Sequence, residues 1–240
     1  MAELSARALV KHYGARPVVH GVDLDVAAAT VVGLLGPNGA GKTTTFYMVS
    51  GFVRPDAGQV LLDGVEITWL PIHDRARLGV SYLAQEPSVF RRLSVVENLR
   101  LVLEPLGLPR AEIRSRIEAL LDDLRMGHLA DHRADTLSGG ERRRVEIMRA
   151  LAIGPRFVLL DEPFAGIDPL SVADLQGIIR GLKERGLGVL ISDHNVRETL
   201  SICDHAYIIS EGHILTAGDP AAIVASDIAR QHYLGEGFRL

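Results

Sequence analysis

Only one of the 240 residues is a cysteine, Cys203, so the fold can contain no internal disulfide and must be held by its core. A reducing setting is the expected one. Lysine is almost as rare, with Lys11, Lys42 and Lys183 the whole complement. The formal net charge is −4, which gives no basic surface and argues against nucleic acid as the main partner. Also missing is any uninterrupted apolar run of the ~20 residues that a bilayer span needs. Glu3 and the lack of an apolar segment beside it leave no secretory signal to be read there. Membrane contact is therefore expected through partner chains alone. What is present is a globular composition, 47% hydrophobic and 23% charged, in a length that suits one large domain or two small ones.

Scarcity gives weight to Lys42. It sits in the run Gly36, Pro37, Asn38, Gly39, Ala40, Gly41, Lys42, Thr43, Thr44. An apolar stretch, Val31 to Leu35, precedes this run as a buried strand, and a helix follows to Ser50, stopped by Gly51. Strand, glycine loop and helix form the context that a phosphate-binding loop requires. Glycines let backbone N–H groups turn inward around an anion, and the helix N-terminus adds its positive end. Lys42 would then reach the β- and γ-phosphates, and the Thr43 hydroxyl would ligate Mg²⁺. An ordinary glycine turn is the plain alternative. The pattern arises by chance in a chain this long at a rate on the order of one per cent. A nucleoside triphosphate is the expected ligand.

Along the chain, residues 4–10 and 22–26 alternate as strands, and Tyr13 lies just upstream of the glycine loop. A hairpin is expected over 58–67 around Asp63-Gly64, then a strand over 78–83. A mostly helical block follows at roughly 87–150. Its first helix starts at the capping box of Ser94 and Glu97. The second helix carries Ile113, Ile117, Leu120, Leu121 and Leu124 on one face, and the third runs from Ser138 to about Ile153. Arg142 to Arg144 read as a solvated face, with Glu146 pairing with Arg142. Strands return at 157–160 and 188–192, around a helix expected to bury Leu170, Leu175, Ile178, Ile179 and Leu182. Such alternation implies an α/β fold with a mostly parallel sheet and ligands at the strands' carboxyl ends.

Two further stretches carry chemistry. The strand at 157–160 ends in Asp161-Glu162, where Asp161 can hold Mg²⁺ and Glu162 can orient and polarise an attacking water. Leu137 to Glu141 reads LSGGE. Its plain reading is a capping box of Ser138 and Glu141. A cap contributes about 1 kcal/mol, yet Gly139 and Gly140 can each cost up to about 1 kcal/mol relative to alanine. Helix stability alone would not select that pair, whereas close backbone approach to another molecule would.

Lys42-Thr43, Gln85, LSGGE, Asp161-Glu162, Asp168 and His194 occur in the order and spacing of ABC-type ATP-binding subunits, which the chain resembles over its whole length. The resemblance implies a P-loop NTPase fold with an N-terminal antiparallel part and the helical block as an insert in a single domain. It implies a head-to-tail homodimer with ATP and Mg²⁺ between one copy's glycine loop and the other's Ser138, Gly139, Gly140 and Glu141. By the same resemblance Tyr13 would stack on adenine, and Gln85 would touch Mg²⁺ and the γ-phosphate region. Glu162 would be the general base, His194 the γ-phosphate switch, and Asp168 would lie at the dimer seam. Two departures stand out: AGID around Asp168 where many members have SALD, and Asn195 rather than Asp after His194.

Within that family, GPNGAGKTTTFYM, FRRLSVVENL, DHNVRETL and the ending YLGEGFRL are similar to the ATPases of lipopolysaccharide export transporters. That likeness implies two transmembrane partner subunits docked near Phe90, Arg91 and Arg92, with the chain on the cytoplasmic face of the inner membrane. Left open are a branched-chain amino-acid importer subunit, a soluble non-transport ABC protein and a P-loop kinase.

Overall fold

A computed structural model of the chain describes residues 2–235 and 237–240. They form two compact units, Met1–Tyr82 with Arg156–Leu240, and Leu83–Pro155. The first unit begins with β1 (Glu3–Tyr13), β2 (Arg16–Ala27), β3 (Val31–Leu35), α1 (Lys42–Ser50), β4 (Ala57–Leu62) and β5 (Val65–Glu66). It continues with α2 (Ile72–Arg77) and β6 (Val80–Leu83). The second unit holds α3 (Val95–Leu103), α4 (Arg110–Asp123) and α5 (Gly139–Ala152). The chain then returns through β7 (Phe157–Asp161), α6 (Pro169–Glu184), β8 (Gly188–Asp193) and α7 (Val196–Leu200). It closes with β9 (His205–Ser210), β10 (His213–Gly218), α8 (Pro220–Ala225), α9 (Asp227–Ala229) and a π-helical turn at Arg230–Leu234.

Two sheets build the first unit. The four-stranded sheet, ordered β2-β1-β4-β5, is antiparallel throughout. Its β4–β5 hairpin turns at Asp63 and Gly64, both left-handed at φ 53° and 77°, as a two-residue turn of that hand requires. The six-stranded sheet is ordered β10-β9-β3-β8-β7-β6, with β9, β3, β8 and β7 mutually parallel. Every residue of β3, β7 and β8 is buried, and these strands are apolar up to the acidic carboxyl ends of β7 and β8, as covered parallel strands are. Leu4, Leu24, Leu34, Phe46, Met48, Leu159 and Leu190 share one core. A Cβ on Gly33 of β3 would lie 3.0 Å from Cys203 Sγ, whose thiol burial pushes up to about 12.

Arg75 of α2 is fully buried. Its guanidinium donates to Met48 O and Val49 O in the last turn of α1, at 2.8 and 2.6 Å, and to Leu70 O and Thr68 O at 2.9 and 2.7 Å. A cation thus caps the carboxyl end of α1, where the helix dipole favours it. Burial lowers its pKa to about 10, so it stays charged at neutral pH.

Two expectations fail. Leu170 is 77% exposed rather than buried. At 100° per residue it lies about 140° round α6 from Leu175, which with Ile179 and Leu182 defines the buried stripe. Glu146 pairs with Arg143 at 3.1 Å, not with Arg142. Both partners are largely shielded: Glu146 also accepts from Ser88 N at 2.6 Å, and Arg143 donates to Ala84 O at 2.9 Å. Arg142 instead donates to Leu137 O. The middle of the arginine run therefore ties α5 to the 84–88 loop rather than facing water.

Candidate functional site

The parallel register brings separate strand ends together. Leu35 pairs with Asp193 across β3 and β8, and Ser192 pairs with Asp161 across β8 and β7. Gly36, His194 and Glu162 are the next residues on three successive strands, which lie about 4.8 Å apart. That edge is where a sheet of this kind takes ligands.

On the first strand end, the glycine loop is shaped by packing as much as by conformation. A Cβ on Gly36 would sit 2.0 Å from Ile209 O, so β9 excludes any side chain there. Gly41 caps α1 in the left-handed region at φ 104° and supplies no side-chain cap. The first turn of α1 contains no acid, so its N–H groups and positive end remain available to an anion. Lys42 is buried, with Nζ donating to Gly36 O at 2.7 Å and Pro37 O at 2.9 Å. Burial lowers its pKa, opposed by the nearby carboxylates of Glu162, Asp193 and Asp161. Thr43 stands beside it in the first turn.

The other two ends supply carboxylates and an imidazole. Asp161 is buried and accepts from Ser192 Oγ at 2.6 Å and from Tyr82 Oη at 3.1 Å. Glu162 is left-handed at φ 41°, a conformation that costs a residue with a Cβ on the order of 1–3 kcal/mol. Its N–H is held by Ser192 O at 2.7 Å. His194 Nδ1 lies 3.3 Å from Glu162 Oε2 and 3.6 Å from Asp193 Oδ1. Asp193 is itself pinned by the N–H groups of Phe164 and Asn195. A strained acid, a neighbouring imidazole and a buried ammonium are thus gathered where phosphate would enter.

Tyr13 ends β1, half exposed, with Lys11 Nζ 5.8 Å from its ring centre. Asp168 is the N-cap of α6, accepting from Leu170 N, Ser171 N and Ser171 Oγ, which hold its pKa down. The second unit carries Gln85, which is exposed, and the LSGGE run. There Ser138 and Glu141 form both halves of a capping box. An added Cβ on Gly139 would meet nothing within 4 Å among the described residues, so packing against them does not demand a glycine at that position. Phe90 is 46% exposed, with Arg149 4.7 Å over its ring and Arg91 and Arg92 exposed beside it. Sequence reasoning passed over Tyr82, Ser192 and Asp193. The carboxyl-end position of the last two could have flagged them; nothing in the spacing marks Tyr82.

Among the described residues no helix is long and apolar enough to cross a membrane. Residues 19–165 match the family model described as "ABC transporter". The chain is 58% identical over 237 residues to the lipopolysaccharide export system ATP-binding protein LptB of Acidithiobacillus ferridurans, covering 99% of this chain and 98% of that one. It is 55% identical to LptB of Escherichia coli strain K12 over the full length of both. Among solved structures, the ADP conformation of MJ1267, an ATP-binding cassette of an ABC transporter, superposes with a TM-score of 0.88 at 29% identity. That alignment covers 98% of this chain and 100% of MJ1267. The chain belongs to the ABC transporter family, as an ATP-binding subunit whose ATPase activity is coupled to transport and which works with transmembrane partners.

Proposed function

We propose that this chain is the ATPase of a lipopolysaccharide export transporter, acting as a head-to-tail homodimer on the cytoplasmic face of the inner membrane. Full-length identity of 53–58% to proteins of that name supports the substrate class. The catalytic part rests on one observation above all: Glu162 is held in a strained backbone at the end of β7, 3.3 Å from His194, and its charge partly opposes the fall that burial causes in the Lys42 pKa.

The α1 N-terminus and Lys42 bind the phosphates, for which Lys42 exchanges its bonds to Gly36 O and Pro37 O. Tyr13 stacks on the base. Thr43 and Asp161 offer the hard oxygen donors that Mg²⁺ prefers, and the residues fit that ion. Bound Mg²⁺ would neutralise charge on the phosphates. Glu162 orients the attacking water and takes its proton, while His194 reads the terminal phosphate. Ser138, Gly139, Gly140 and Glu141 of a second copy complete the pocket, and Asp168 lies at the seam. Phe90, Arg91 and Arg92 form the anchor for the membrane subunits, an exposed aromatic flanked by guanidinium groups.

The test is reconstitution. The chain is purified with the membrane proteins that accompany it and placed in vesicles containing lipopolysaccharide. ATP-dependent release of lipopolysaccharide to a soluble acceptor is expected. Recovery of a periplasmic amino-acid-binding protein with the complex, and no release, would replace this reading with an importer.

A further inference from the structure

Asp161 is gripped on both oxygens. Ser192 Oγ donates to Oδ1 at 2.6 Å and Tyr82 Oη donates to Oδ2 at 3.1 Å. The outermost torsion of an aspartate is soft and roughly two-fold, so nothing intrinsic fixes the plane of its carboxylate. Two donors on opposite oxygens do fix it. With the plane of the carboxylate fixed, the directions of its lone pairs are fixed as well. Tyr82 comes from β6, the strand beside β7, and its ring is set by Phe52, Phe46 and Tyr47 at centroid distances of 4.9, 6.1 and 6.3 Å.

We propose that Tyr82 is a positioning residue for the divalent cation of this site, its hydroxyl setting the orientation in which Asp161 meets the metal's ligand shell. The aromatic packing already holds the ring, so the hydroxyl itself is not needed for packing. This inference rests on the reading of Asp161 as the metal-holding carboxylate. Outer partners of this kind typically contribute about 10–100-fold in metal affinity or activity.

The variant is Tyr82→Phe in the full chain, with Asp161→Asn as the benchmark. Mn²⁺ affinity is measured by electron paramagnetic resonance in the presence of a non-hydrolysable ATP analogue. Affinity for the same analogue is measured separately in EDTA. Tyr82→Phe is expected to weaken Mn²⁺ binding about 10–100-fold and to leave metal-free nucleotide binding unchanged. If Asp161→Asn weakens Mn²⁺ binding and Tyr82→Phe does not, the inference is overturned while the site reading stands. Equal weakening with and without metal would signal general damage and would also overturn it. If neither variant affects Mn²⁺, Asp161 is not the metal carboxylate, and the inference falls with that reading.

Discussion

Replacing Arg75 by methionine tests how firmly α1 is anchored at its far end. The substitution keeps much of the side-chain volume and removes the donors that serve Met48 O, Val49 O, Leu70 O and Thr68 O. Hydrogen bonds from a charged group contribute about 1.5–3 kcal/mol each. Against this, methionine relieves the desolvation of a charge that is held by backbone carbonyls, so the four bonds do not simply add. A net loss of about 3–5 kcal/mol is expected, as when a buried ionic network loses one member. In a chain of this length each kcal/mol moves the melting midpoint by about 2–4 °C, which places the drop at about 6–20 °C. Calorimetry at pH 7 measures it, and amide exchange should quicken in the last turn of α1. Lysine at the same position keeps the charge but has one nitrogen for four dispersed acceptors, so it should recover only part of the loss. Because α1 carries Lys42 and Thr43 at its other end, nucleotide affinity should weaken in the methionine variant as well. A methionine variant within about 1 kcal/mol of the parent would refute the anchoring argument, since the freed carbonyls would then have cost nothing measurable.

Glu162→Gln should keep ATP binding and slow hydrolysis by about 10²–10⁴-fold, as expected for loss of a general base; brisk phosphate release would remove Glu162 from that role. Asp168→Ala deletes the N-cap of α6 and should lower stability by about 1 kcal/mol in a thermal melt, separately from any effect on pairing of two copies. Glu146→Ala leaves Arg143 without its shielded partner and frees Ser88 N, so a loss of about 3–5 kcal/mol is expected by denaturant titration. Asp56 is held down to about 2, chiefly by Lys11 and the His12 N–H. A depressed carboxylate stabilises the fold above its unfolded pKa of ~3.9 and loses that effect as pH falls toward the folded value. Asp56→Asn should therefore melt below the parent at pH 7, with the gap closing as pH drops below about 4; a constant gap would contradict the assignment.

The strand ends were readable in advance because the signals are local. An apolar run closed by Asp161-Glu162, or by Gly36, marks both a buried strand and its ligand-facing end. Other features depend on partners far away in sequence. Tyr82 and Asp161 are 79 residues apart, and no pattern near either announces their contact. Among three consecutive arginines, helical spacing permits either Arg142 or Arg143 to meet Glu146, and Ala84 O, supplied from a different segment, favours the second. The left-handed backbone of Glu162 likewise comes from its surroundings, in part the hold of Ser192 O on its N–H. The apolar character of Leu170 points to the core, but its angular position lies well off the stripe of Leu175, Ile179 and Leu182, and it is exposed.

The lone sulfhydryl has a practical corollary. Packed against Gly33 and protonated far above neutrality, Cys203 is poorly nucleophilic at working pH and shielded from reagents. Maleimide dyes or nitroxide tags will therefore go to cysteines installed at surface positions such as Leu170, with the native residue left in place. Ruler-type spectroscopy between two copies, and bifunctional trapping of the pair, can be carried out on this chain without first preparing a thiol-free background.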